Sequence, residues 1–271
     1  MRDNREVARL AHGSQGRAPQ LYQAGLARAL SKLGYCSRSQ ARELVLAGRV
    51  QINEQVQRNP DAAVKLSSDK IAVDGELVQG KQKVYLMLNK PRGLVTTASD
   101  EQGRQTVLDC LVGCDLPWVS PVGRLDKASE GLLLLSNDTA WAARLMEPSS
   151  HVEKTYHVQV DRPADSVPLE AIRTGLKVDG DWLAAKKATI LRTGAVNSWI
   201  EVVLDEGKNR QIRRLLEALD VAVLRLVRVA IGPLQLGNLQ KGQFRHLTPA
   251  EVASLGPGRP AYAIKSRTTL P

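Results

Sequence analysis

Residues 121–138 read P-V-G-R-L-D-K-A-S-E-G-L-L-L-L-S-N-D. Polar and charged residues run straight into four consecutive leucines, Leu132 to Leu135. A short, uninterrupted apolar run suits a strand buried on both faces, although periodicity alone leaves a buried helix open. Gly123, Arg124, Asp126, Ser129, Glu130 and Gly131 lie just ahead of it. Asp126 is therefore expected on a loop anchored by the core, where reactive groups often sit. Taken alone, one Asp there reads more often as part of a solvated turn before a core strand.

Outward from this stretch the patterns alternate between sheet and helix. Downstream, Asp138 can cap a helix from Thr139 to about Glu147, closed by Pro148. His151 to Val160 alternates as a strand with Tyr156, Val158 and Val160 on one face, and Val167 to Thr174 reads as a helix. Trp199 to Leu204 is a second alternating strand. Ile212, Leu215, Leu216 and Leu219 then follow the i, i+3, i+4, i+7 spacing of an amphipathic helix whose start presents Arg210, Arg213 and Arg214. Val221 to Ala230 is a further strand region, and a short helix is expected after Pro249. Upstream, Val84 to Leu88 is a strand, Lys90-Pro91-Arg92-Gly93 a turn and Leu94 to Thr97 another strand. Strands joined by short turns as often as by helices predict an α+β domain with a mixed, largely antiparallel sheet flanked by helices.

A smaller module precedes it. Leu26, Ala29, Leu30 and Leu33 fall at helical spacing, with Gly34 as a stop. Ser37 and Gln40 form a capping-box pattern for a second helix that turns Ala41, Leu44 and Val45 inward and ends at Gly48. Val50 to Ile52 is a strand, and Asp74-Gly75 is a hairpin turn signal between Lys70–Val73 and Leu77–Val78. Arg28 and Lys32, and likewise Arg38 and Arg42, stand one turn apart on the helices. The expected divisions are a basic tail over 1–20, the module over 21–80, the larger domain over 81–255 and a second basic tail over 256–271.

The 271 residues carry a formal charge of +10, which points to a polyanionic partner without separating RNA, DNA and acidic membrane surfaces. No apolar run is long enough to span a bilayer, and the N-terminus lacks the apolar core of a secretory signal. Cys36, Cys110 and Cys114 are too few and scattered for a disulfide framework or a zinc site, so reduced thiols and a cytoplasmic location are expected. The four histidines are assigned no catalytic or metal role, and Trp118, Trp141, Trp182 and Trp199 are read as packing residues.

Five stretches together resemble the ribosomal RNA pseudouridine synthases with an N-terminal S4-type RNA-binding domain, the small-subunit-type class. They are the module L-A-R-A-L-S-K-L-G-Y-C-S-R-S-Q-A-R-E-L-V-L-A-G-R-V-Q-I-N, then N-K-P-R-G (Asn89 to Gly93), G-R-L-D-K-A-S-E-G-L-L-L-L-S-N-D (Gly123 to Asp138), E-K-T-Y (Glu153 to Tyr156) and E-G-K-N-R-Q-I-R-R (Glu206 to Arg214). The last leans slightly toward enzymes of large-subunit RNA. The resemblance spans roughly Leu21 to Val252 and implies the pseudouridine synthase fold.

It also implies a reaction: the uracil N1 to ribose C1′ bond breaks, the base turns, and it rejoins through C5. This isomerisation involves no redox change, so no cofactor and no metal is expected. By position, Asp126 is the catalytic carboxylate, acting either on C1′ to give a sugar ester or on the C2′ proton to give a glycal. Arg213 is its expected partner, since a guanidinium stabilises a carboxylate and fixes its orientation. Tyr156 is expected to stack on uracil and to serve the proton transfer from C5. Arg124 would reach into the space left by the flipped base. Arg28, Lys32, Arg38, Arg42, Arg49, Lys90, Lys208, Arg210 and Arg214 are expected to contact RNA, largely through phosphates. The expected partner is ribosomal RNA, free or in an assembling subunit, bound by a monomer. Two other readings compete. A glycosidase would use Asp126 with Glu130, which needs a defined separation that sequence proximity does not supply; Glu130 reads equally as a solvated or backbone-capping residue. A non-catalytic RNA-binding assembly factor would share the charge and the module. The family match carries two departures: Thr139 stands where many members have Gly, and Asp220 stands where Gly would be a natural helix stop.

Overall fold

The computed structural model describes residues 23–98, 100 and 102–256. Apart from Gly256, the two expected basic tails lie outside the described residues, as does Leu21. The first elements are β1 (Gln23–Gly25), α1 (Leu26–Lys32), α2 (Arg38–Leu46), β2 (Val50–Ile52), β3 (Gln55–Gln57), β4 (Ala63–Lys65), β5 (Ile71–Val73) and β6 (Glu76–Leu77). Helical spacing puts Leu26, Ala29 and Leu30 of α1 against Ala41 and Val45 of α2, and all five are fully buried. The capping box forms: the Gln40 amide donates to Ser37 Oγ and the Ser37 amide to Gln40 Oε1, both at 3.1 Å. Each helix is stopped by a glycine in the left-handed region, Gly34 and Gly48. Beneath the helices an antiparallel sheet runs in the order β3-β2-β5-β6, with the Asp74-Gly75 turn at positive φ on both residues.

The larger domain continues with β7 (Tyr85–Lys90), β8 (Ser120–Val122), β9 (Glu130–Ser136), α3 (Thr139–Met146), β10 (Lys154–Val160) and α4 (Leu169–Thr174). It is completed by β11 (Leu176–Val178), β12 (Asp181–Leu183), β13 (Lys187–Arg192), β14 (Ser198–Leu204), α5 (Gln211–Glu217), β15 (Val223–Ile231), β16 (Leu234–Gln235), β17 (Phe244–His246) and α6 (Pro249–Ser254). Its main sheet has the order β13-β14-β10-β15-β9-β7-β17, with β16 added to β15 and β8 to β9. Every pairing is antiparallel except β9 with β15, where Glu130 faces Val227 and Gly131 faces Arg228.

The four-leucine run is the strand its length suggested. Leu132 and Leu134 pack with Trp141 and Leu145 of α3, while Leu133 and Leu135 face the other way onto Val107, Val119 and Leu125. Each fully buried leucine contributes roughly 1.5–3 kcal/mol relative to exposure. Asp138 caps α3 by accepting from the Ala140 and Trp141 amides, both at 3.1 Å, so Thr139 in place of Gly leaves the cap intact. Asp220 takes the left-handed conformation at φ 56° after α5. Gly131 has a stricter reason to be glycine. Its φ is +101°, and a Cβ there would lie 2.2 Å from the Arg228 carbonyl oxygen, so β9 and β15 approach too closely for any side chain.

One expectation changes, and one hairpin is unforeseen. Leu94 to Thr97 is not a strand: Val95 makes only an isolated bridge to Thr106, and the Thr96 hydroxyl donates instead to the Leu125 carbonyl at 2.6 Å. The short β11–β12 hairpin is an addition, although Asp179-Gly180 turns it with the same positive φ pair as Asp74-Gly75.

Candidate active site

Asp126 lies in the loop between β8 and β9, where the Ser129 amide donates to its carbonyl at 2.9 Å. Three other contacts shape that loop from the N-K-P-R-G side. Thr96 holds Leu125, the Gly93 amide donates to the Lys127 carbonyl at 2.8 Å, and Lys90 sits underneath. Lys90 is fully buried at the end of β7, and its ammonium donates to the carbonyls of Pro91 (3.2 Å), Asp126 (3.2 Å) and Ser129 (2.9 Å). These acceptors match the three N–H groups an ammonium carries. The expectation that Lys90 touches RNA is therefore corrected: with no exposed surface, it organises the loop. Burial pushes its pKa down to about 8, against the opposing pull of the Asp126 and Glu130 carboxylates.

The Asp126 carboxylate is about one-third exposed (36%), and its ion pair is with Arg210 Nη1 at 3.6 Å. Arg210 reaches it from the residue ahead of α5, held in the left-handed region at φ 48°. The expected partner, Arg213, stands behind: it donates to the Ala128 carbonyl at 3.3 Å and makes no salt bridge to Asp126 among the described residues. Burial and then Arg210 lower the Arg213 pKa, with Asp126 opposing. Arg213 thus ties α5 to the loop, and Arg210 supplies the direct charge contact that sequence reasoning gives to its neighbour.

Tyr156 comes from β10, half-buried, and shares with Asp126 a cleft of about 550 Å³. Arg124, Lys154, Lys208 and Arg228 also line it. Arg124 is exposed. Lys208 also reaches the cleft, but its ammonium is shared between the Trp182 carbonyl at 2.6 Å and Glu206 at 3.1 Å. Arg214 is engaged within the protein: it holds Asp181 at 2.9 Å and the Val178 carbonyl at 2.9 Å, stapling α5 to the β11–β12 hairpin.

In the N-terminal module Arg28, Arg38 and Arg42 are exposed, with no ion pair among the described residues. Lys32 is half-buried. Arg49 is bound by Asp74 through two bonds of 2.9 and 2.5 Å, which neutralises its charge.

Glu130 is neither solvated nor a backbone cap, which corrects the expectation for it. It is 3% exposed and pairs with Arg225 at 3.1 Å and Lys241 at 2.5 Å. Burial acts to raise its pKa, but the two cations outweigh burial and hold it below its ordinary value. A carboxylate kept ionised and enclosed by two cations cannot be the acid of a two-carboxylate glycosidase. Sequence reasoning misses the roles of Glu130, Lys90, Arg210 and Arg228; only the last two carry a visible signal, as arginines within otherwise apolar or turn segments.

The chain is similar to known proteins over most of its length. The family model for RNA pseudouridylate synthase matches residues 84–218, and the S4 domain model matches residues 25–71. An uncharacterized RNA pseudouridine synthase of Rickettsia typhi is 40% identical over 224 residues, covering 82% of this chain and 91% of the relative. Ribosomal large subunit pseudouridine synthase B of Bacillus subtilis is 36% identical over 234 residues, covering 85% and 94% respectively. A crystal structure of a pseudouridylate synthase superposes with a TM-score of 0.60 at 28% identity, covering 86% of this chain and 99% of that one. With the fold, the cleft and these relatives in agreement, the chain belongs to the RNA pseudouridine synthases and is an RNA-modifying isomerase with an S4 domain at its N-terminal side.

Proposed function

We propose that this enzyme converts a uridine of ribosomal RNA to pseudouridine, with Asp126 as the catalytic carboxylate. The observation that carries the reading is the Asp126 loop: its carboxylate is accessible and held by Arg210, while its backbone is fixed from below by a fully buried Lys90. Positioning of this kind supplies a large part of a rate enhancement, because the reacting group needs no reorganisation. The uridine would flip into the cleft, its base against Tyr156, with Arg124 toward the gap in the RNA. Both routes begin with ionised Asp126, either bonding C1′ or removing the C2′ proton. Each ends when C5 has bonded to C1′, as the ester bond breaks or the C2′ proton returns from Asp126, and C5 has lost its own proton, with Tyr156 placed to assist.

The Bacillus relative's name favours large-subunit RNA as substrate. The proposed layout is an RNA-gripping module over 21–80 and a catalytic domain over 81–255, acting as a cytoplasmic monomer. The test maps pseudouridine in ribosomal RNA by carbodiimide labelling and primer extension, in cells with and without this gene. A stop lost on deletion should return with the wild-type gene and not with Asp126→Asn. Restoration by Asp126→Asn would favour a non-catalytic assembly role, and unchanged stops in every strain would redirect the search to transfer RNA.

A further inference from the structure

Arg228 occupies an unusual position for a charged residue. It is 6% exposed, on a central strand of the sheet, and it lines the cleft. Its Nε donates to the Leu132 carbonyl at 2.7 Å, and its Nη2 is buried with no hydrogen-bond partner. A buried guanidinium with an unused donor is costly, and such groups in native structures call for an explanation. In the pairing of β10 with β15, Arg228 stands directly opposite Tyr156. Directly opposed residues project from the same face with their Cβ atoms roughly 5 Å apart. Arg228 and the ring proposed to stack on uracil therefore rise from the same face and line the same cleft. Lys154 adds a second cation to the same cleft, where burial and then Arg228 lower its pKa and Asp205 opposes them.

We propose that Arg228, with Lys154, is the site that receives the negative charge of the detached uracil. This rests on the reading of the chain as a uridine isomerase, but not on the identity of the RNA. In the ester route an Asp126 oxygen bonds to C1′, and the electron pair of the N1–C1′ bond leaves on the base. In the glycal route Asp126 takes the C2′ proton, a C1′–C2′ double bond forms, and the same pair leaves on the base. Either way the departing uracil is an anion with charge spread over N1, O2 and O4. Guanidinium N–H groups aimed at those carbonyl oxygens interact more strongly with the anion than with the neutral base, which is the requirement for catalysis rather than mere binding. The bond to Leu132 keeps the guanidinium in place before the charge appears.

The test uses 5-nitrouracil, which its nitro group makes acidic and therefore anionic at neutral pH, with uracil as the neutral comparison. Calorimetric titration would compare full-length wild type, Asp126→Asn, Arg228→Lys and Arg228→Gln. Wild type and Asp126→Asn should prefer the anion, Arg228→Gln should lose about tenfold or more of that preference, and Arg228→Lys should keep most of it. If Arg228→Gln fails to fold, as circular dichroism would reveal, Lys154→Met takes its place and should lose a smaller part. A wild type with no preference, or a folded Arg228→Gln with the full wild-type preference, would overturn the assignment. No RNA enters this titration, so its outcome does not depend on which RNA is the substrate. Conversely, wild-type pseudouridine formation without an anion preference overturns Arg228 alone.

Discussion

The N-terminal module and the catalytic domain use the same cationic residue types in opposite ways. In the module Arg28, Arg38 and Arg42 stand in solvent over a core of apolar side chains. In the catalytic domain Lys90 and Arg228 are buried, and each uses its N–H groups on backbone carbonyls of the segment from Pro91 to Leu132. Exposed cations are mobile and screened, so they contribute affinity and register on a phosphate backbone. Buried cations are costly to desolvate and are retained where they fix geometry. The difference teaches that net charge alone says little about which arginine or lysine meets RNA.

The contrast can be broken most directly at the proposed catalytic carboxylate. Asp126→Asn should reduce single-turnover pseudouridine formation by about 10⁴-fold or more while RNA affinity in a filter-binding assay stays within about twofold. Comparable losses in both would mean the carboxylate serves binding. Next in size, Lys90→Met removes a donor from three carbonyls and lets the loop shift, so activity should fall by about 10²-fold with a lower melting temperature and little change in the salt dependence of RNA binding. A steep loss of salt dependence instead would return Lys90 to the RNA-contacting set.

A pH series sharpens the same point. Lys90 holds its proton only up to about pH 8 in the folded enzyme, whereas the unfolded chain keeps it into the ordinary lysine range. Activity should therefore decline as pH rises through about 8, as the neutral amine gives up one of its three donors. Over the same interval the unfolded state binds more protons than the folded one, so this group makes the folded state relatively more stable, and melting temperature should not fall in step with activity. Parallel loss of both would assign the decline to another group.

Smaller effects belong to the module. Arg28→Ala, Arg38→Ala and Arg42→Ala should each weaken RNA binding a few-fold and reduce the slope of log affinity against log salt by about 0.7–0.9, with single-turnover rates at saturation unchanged. Smallest of all, Arg49→Ala should leave that slope nearly as it was, because Asp74 already neutralises the guanidinium.

What is legible in the sequence is local. The capping box at Ser37, the cap at Asp138, the α5 stripe and the leucines of β9 each depend on residues within a few positions of one another, and each forms where the spacing places it. What is illegible depends on distant partners. Glu130 looks solvated until Arg225 and Lys241 are brought to it, and Lys90 reads as a turn lysine until three carbonyls from two segments close over it. The ion pair of Asp126 with Arg210 rather than Arg213 accompanies a left-handed backbone at Arg210, which spacing does not encode. The β11–β12 hairpin is a different failure: its Asp-Gly signal is present, but strands of three residues give too little alternation to read.

The parallel pairing of strand β9 with β15 has a consequence in time. It joins Glu130 and Gly131 to Val227 and Arg228 across a long intervening stretch of chain. Asp126 belongs to one side of that junction and Tyr156, Arg210 and Arg228 to the other. Contacts that close long loops form late in folding, because chain entropy opposes them until other structure has formed. The two sides of the proposed site thus meet only once a long loop has closed, and the pairing of β7 with β17 spans a still longer one. Amide hydrogens along this junction should exchange by a shallower opening than those of the leucine core, and gentle warming should silence the enzyme before the rest of the sheet melts.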